Sequence, residues 1–140
     1  DDITLFINSQ GGHVEAGDSI HDIIRFIKPR VKVVGTGWVA SAGTHIFLAA
    51  DTADRYCLPN TRFLIHQPSG GVGGQASDIA IQAEEIIKMR ERLARIIATQ
   101  TGQKIEQVRV DIERDNWMTA KEAISYGICN KMIASVSELV

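Results

Sequence analysis

The sequence predicts an α/β protein: strands alternate with helices, the first two strands run parallel, and one long helix stands out from the body. Three observations carry that reading. A strand–helix–strand run occupies residues 3–39, a turn of small residues around Ser41 leads from a strand into a helix, and a helical period extends over residues 75–99. At 140 residues the chain reads as one domain, residues 1–140, long enough to bury a core.

Residues 3–8 are apolar and β-branched, the pattern of a buried strand, and Ser9-Gln10-Gly11-Gly12 breaks it. Over residues 14–27 the apolar positions Ala16, Ile20, Ile23, Ile24 and Ile27 recur at helical spacing until Pro29 stops the run. Residues 31–39 form a second strand, and two strands joined through a helix pair in parallel with a right-handed crossover. Residues 44–50 suit a helix packed against the sheet. Residues 56–58 and 62–66 are two further short strands around the turn Pro59-Asn60-Thr61.

The glycine-rich stretch 67–74 follows, but no GK[ST] completes a phosphate loop. In the long helix Ile79, Ala83, Ile86, Leu93 and Ile97 form an apolar stripe, with Glu84/Lys88 and Glu91/Arg95 as surface pairs. A helix of that length overshoots a compact body of this size, which predicts packing against another subunit. Gly102 ends it, and a shorter helix covers residues 105–112. Thr119-Ala120-Lys121-Glu122 is a capping box for a last helix closing at Gly127, and residues 128–133 return as a strand.

A hydrophobic content of 44% with 23% charged residues is that of a soluble globular protein. The net charge of −2, without any basic run, argues against nucleic acid or an anionic membrane as partner. Cys57 and Cys129 stand far apart, which suggests neither a disulfide framework nor a zinc site. They read as buried free thiols, and a cytoplasmic or similarly reducing compartment is expected. The chain opens on Asp1-Asp2 directly before a strand, so a further segment upstream is expected.

The chemistry is expected at Gly37-Trp38-Val39-Ala40-Ser41-Ala42-Gly43. Small residues on both sides of Ser41 permit a sharp turn that leaves its hydroxyl at a helix N-terminus, where free N–H groups favour developing negative charge. A nucleophilic serine needs a base, a group that orients the base, and donors for the oxyanion. His13, His21 and His45 read as surface or structural histidines. His66 differs, because it ends an apolar strand and opens the glycine-rich loop. Asp115, in a link between two helices, could orient it or simply cap. Gly11-Gly12 could bring backbone N–H groups close to a substrate, or only make a tight turn.

Several short stretches, taken together and in order, resemble one family. They are Asn8-Ser9-Gln10-Gly11-Gly12, Ala40-Ser41-Ala42-Gly43, Leu58-Pro59-Asn60-Thr61-Arg62, Ile65-His66-Gln67-Pro68, Gly74-Gln75-Ala76-Ser77-Asp78-Ile79, Thr101-Gly102-Gln103 and Arg114-Asp115. This set is similar to the Clp protease proteolytic subunit, ClpP, over nearly the whole chain. The resemblance implies the ClpP/crotonase fold, of repeated β-β-α units with a projecting long handle helix. It implies Ser41 as nucleophile, His66 as base then acid, and Asp115 as the orienting carboxylate, with an oxyanion hole from the N–H groups of Gly12 and Ala42. Gly70, Gly71, Val72 and Gly73 would bind the substrate as an added strand.

The resemblance also implies a homo-oligomer of two stacked seven-membered rings, fed with unfolded polypeptides by an AAA+ unfoldase ATPase of the ClpX, ClpA or ClpC type. No cofactor and no metal are implied. The family's axial loops and first helix would precede Asp1. Gln10 stands where the family usually has proline, and Ala42 where methionine is common; neither change removes a backbone donor. Two rival readings remain at this point. A crotonase-type acyl-CoA enzyme would use a carboxylate acid/base instead of Ser41 and His66. An inactive ring-building subunit would be expected to lose a triad member, whereas all three positions are filled.

Overall fold

The sheet is built around β2 (Val31–Ala40), in which Val33, Val34 and Val39 are completely buried. The computed structural model describes residues 1–68 and 73–139. On one edge of β2, β1 (Ile3–Ser9) pairs in parallel from Ile3 opposite Val31 to Ser9 opposite Val39. Two strands share the other edge. β3 (Arg55–Cys57) lies parallel to Val33–Gly35, and β4 (Arg62–Ile65) lies parallel to Trp38–Ala40. The turn at residues 59–61 thus carries the chain along β2 instead of reversing it. β5 (Asn116–Thr119) adds antiparallel to β4, and β6 (Lys131–Met132) adds parallel to β3.

Five helices accompany these strands: α1 (Val14–Phe26), α2 (Ala42–Phe47), α3 (Ala76–Thr101), α4 (Ile105–Asp111) and α5 (Ala120–Tyr126). Single 3-10 turns cover Thr52–Asp54 and Val136–Glu138. The α/β class, the parallel first pair and the long helix are as predicted. So are the Thr119–Glu122 capping box and the left-handed glycines, Gly102 and Gly127, that end α3 and α5. Twenty-six residues make α3 about 39 Å long at the usual helical rise. Its C-terminal half packs through Ala94 and Ile97, while residues 80–85 lie exposed.

Five expectations are corrected. β1 is not a buried strand: Ile7 is its one buried residue, with Leu5 packed on the core on the same face, while Phe6 on the opposite face is 61% exposed. The stripe on α1 meets the core only toward its C-terminal end, where the half-buried Ile24 and Ile27 pack against it. Gly17 and His21 are its buried residues, and Ile20, Ile23 and Phe26 are exposed. The reason is close approach: a Cβ on Gly17 would lie only 3.1 Å from the Ala42 Cβ, so the helix turns its smallest side chain toward α2. α2 begins two residues earlier than expected and ends at Phe47, and β6 is shorter than residues 128–133. The link between α4 and α5 contains β5, whose four residues are too few to show a period by themselves.

Arg55 is the largest completely buried side chain. Its guanidinium donates to the carbonyls of Ala50, Leu48, Gln100 and Gly127 and to Gln100 Oε1. It thereby joins β3 to the ends of α3 and α5. Burial pushes its pKa down to about 10, still charged at neutral pH. Arg55→Met should therefore destabilise the fold by about 3–5 kcal/mol, since each orphaned buried carbonyl costs on the order of 1 kcal/mol or more. Urea unfolding followed by circular dichroism would check this; an unchanged midpoint would remove Arg55 from this role.

Candidate active site

The connection from β2 into α2 sets the geometry of the site. Ser41 sits on it with φ of 59° and ψ of −116°, the one non-glycine residue with positive φ among the described residues. Such backbone is costly for a residue with a Cβ and persists only where its surroundings hold it. Here the Ser41 N–H donates to the Leu64 carbonyl of β4 at 3.0 Å. The Thr44 hydroxyl bridges the Val39 and Leu64 carbonyls, both at 2.8 Å. The first bonds of the helix run from Thr44 N and His45 N to the Ser41 carbonyl, so the N–H groups of Ala42 and Gly43 precede the helical ladder.

His66 follows β4 directly, and its Nε2 lies 2.7 Å from Ser41 Oγ. With the ring proton on Nδ1, Nε2 presents a lone pair to the hydroxyl, which donates to it. Asp115 comes alongside by register. Ile65 pairs with Asn116 across the antiparallel β4–β5 ladder, so the next residues outward, His66 and Asp115, face each other. Asp115 Oδ1 stands 3.6 Å from His66 Nδ1, an ion-pair separation longer than a hydrogen bond, and its side chain is 67% exposed. Two further bonds brace this corner: Gln67 N to Ile112 O at 2.6 Å and Gln67 Nε2 to Glu113 O at 3.0 Å.

The loop before α1 completes the cluster. Gly11 has φ of +98°, and a Cβ there would fall 2.6 Å from the Ser41 Cβ, so only glycine lets this loop lie against the serine. Gly12, with φ of +140°, follows it. Of the residues expected to bind substrate, Gly70, Gly71 and Val72 lie outside the described residues. Gly73 is described, and its N–H and C=O are bonded to Gln82 of α3 at 3.2 and 3.3 Å. A substrate strand would have to compete with Gln82 at that position.

The other histidines are structural or at the surface, as expected. His13 caps α1 through its Nδ1. His21 and His45 are buried and stacked, with ring centroids 4.3 Å apart. Sequence reading missed the neighbours that close the cavity beside Ser41 and His66. Asp18 of α1, His45 of α2, and Met89, Arg92 and Leu93 of α3 all line it. Asp18 and Arg92 are 74 positions apart, and no local pattern could have joined them. Among the described residues, no group of three or more His, Cys, Asp or Glu side chains could hold a metal ion.

Residues 1–136 match the family described as Clp protease. The ATP-dependent Clp protease proteolytic subunit 3 of Rhizobium meliloti is 59% identical over 139 residues, covering 99% of this chain and 71% of that protein. The proteolytic subunit 2 of Pseudomonas aeruginosa is 57% identical, covering 99% of this chain and 69% of that protein. The structure of ClpP1 from Listeria monocytogenes superposes with a TM-score of 0.89 at 57% identity, covering 99% of this chain and 77% of that one.

Proposed function

Because this chain belongs to the Clp protease family, we propose that it is the serine endopeptidase subunit of an ATP-dependent Clp protease, cutting unfolded polypeptides into short peptides at Ser41. The single observation that carries the reading is the 2.7 Å contact between Ser41 Oγ and His66 Nε2 on a turn whose strain is held by the sheet.

In the first step Ser41 Oγ attacks the scissile carbonyl carbon while His66 Nε2 takes the hydroxyl proton. The carbonyl oxygen becomes an oxyanion, for which the N–H groups of Gly12 and Ala42 are the donors. His66 then returns the proton to the leaving amine, the C–N bond breaks, and an acyl group remains on Ser41. Water, deprotonated by the same imidazole, releases it. Asp115 supports the imidazolium formed in each half-reaction. Neither metal nor ATP enters these steps. The loop 70–73 would align an extended substrate as an added strand, reading main chain more than side chains.

The words "ATP-dependent" in the relatives' names support an ATPase partner and an assembled protease. We take the partner to be an AAA+ unfoldase of the ClpX, ClpA or ClpC type and the assembly to be two stacked seven-membered rings. The apolar faces left open here support self-association: Phe26 is 83% exposed, with Ile20 and Ile23 beside it and Ile81 and Ile87 on α3. Among the described residues, no helix is long and apolar enough to cross a membrane. Cys57 and Cys129 are free and buried, which supports a reducing compartment such as the cytoplasm.

The test is incubation with unfolded casein and a small fluorophosphonate. Casein should fall to short peptides, the reagent should stop this, and mass spectrometry should find the adduct on Ser41. Intact casein together with an unmodified Ser41 would overturn the proposal.

A further inference from the structure

The cavity beside Ser41 has a polar wall that the proposed reaction does not use. Asp18 Oδ1 accepts a hydrogen bond from His45 Nε2 at 2.9 Å, and Asp18 Oδ2 accepts one from Arg92 Nη2 at 2.6 Å. The three side chains belong to three different helices. Asp18 lies on α1; His45 lies on α2, one turn after the residue that caps it, Ser41; Arg92 lies on α3. Among the described residues, Arg92–Asp18 is the only polar contact between α3 and α1.

His45 is itself held on its other side. The His21 Nδ1–H donates to the His45 carbonyl at 2.7 Å, and the two rings stack within 8° of parallel. Burial, then the neighbouring His21, push the His45 pKa down, more than Asp18 pushes it up. The ring is therefore neutral, a donor at Nε2, with Nδ1 as a buried acceptor that meets no donor among the described residues. A second proton would make Nδ1 a buried donor without a partner, which penalises the charged form further.

We propose that Asp18 is a positioning residue: one carboxylate oxygen holds His45 of α2, the other holds Arg92 of α3, and together they fix the walls of the substrate cavity beside Ser41. Val14, Met89 and Leu93, three of the apolar wall residues, are carried by helices that this carboxylate ties. Removing it leaves the His45 Nε2–H buried without an acceptor and releases Arg92, whose side chain is half exposed. The catalytic atoms are untouched, because neither Ser41 nor His66 bonds to Asp18. The effect thus falls on how well a substrate side chain is received, through lost preorganisation of the cavity. This inference rests on the peptidase reading of that cavity.

The experiment compares the parent protein with Asp18→Ala, Arg92→Ala and Arg92→Lys, using short fluorogenic peptides, a small fluorophosphonate and amide hydrogen exchange. For Asp18→Ala and Arg92→Ala, KM should rise about five- to tenfold with kcat changed less than about threefold, and the Asp18/Arg92 double variant should be no worse than Asp18→Ala alone. Arg92→Lys, which keeps the charge, should restore most of the parent KM. Labelling of Ser41 should persist in all of them. Amides of residues 88–96 should exchange faster in Asp18→Ala. Unchanged KM and exchange in Asp18→Ala, or independent additive effects of the two sites, would overturn the clamp while leaving the peptidase reading intact. A parent protein that neither cleaves nor labels would defeat the peptidase reading, and the exchange measurement would still decide the clamp.

Discussion

Ser41→Ala should lower peptide hydrolysis by roughly 10⁴- to 10⁶-fold, with the fold and the assembly unchanged. The size follows from what the hydroxyl does. In the proposed mechanism it supplies the atom that bonds to the substrate, and the nearby Thr44 Oγ1 is committed to the Val39 and Leu64 carbonyls. Stability should hold, since the positive φ at this position is no easier for alanine than for serine, and His66, which loses its Ser41 partner, has a side chain 21% exposed. His66→Ala should cost nearly as much, and the double variant no more than either, because nucleophile and base act in one step. Active-site titration with the fluorophosphonate, followed by hydrolysis assays on each variant, checks this. Adduct formation on the Ser41→Ala protein would show that the nucleophile lies elsewhere.

Asp115→Asn should lower kcat by roughly 10³- to 10⁴-fold and leave KM nearly unchanged. Asn presents either an amide N–H or a neutral oxygen to His66 Nδ1. It therefore loses the charge that supports the imidazolium and can hold the wrong tautomer. In the structure the carboxylate stands 3.6 Å from the ring, and it is exposed. A movement of about 0.6 Å brings it to hydrogen-bond distance, the kind of tightening that substrate binding produces in such sites. Because an exposed pair is screened by salt, the parent should lose activity at high ionic strength and Asp115→Asn should not. A loss of less than about tenfold, with the same salt response as the parent, would take Asp115 out of the mechanism.

What the sequence by itself determined was local. The periods of α1 and α3, the Thr119–Glu122 box, the stops at Gly102 and Gly127, and the small residues around Ser41 each express a preference satisfied within a few residues. The candidate triad was legible only because its members sit in short stretches that together resemble one family; spacing alone left His66 and Asp115 as options. The tertiary structure decided the rest. It made β5 a strand by giving it β4 to pair with, and that pairing set Asp115 against His66. It turned α1 so that Gly17 and His21 are its buried residues and only Ile24 and Ile27 of the stripe reach the core, because α2 approaches closely at Gly17. It also joined Asp18, His45 and Arg92, whose attraction depends on distances of a few ångströms between helices far apart in the chain. Hydrogen bonds and ion pairs act over contact distance in space, and a chain's order records contact only between near neighbours.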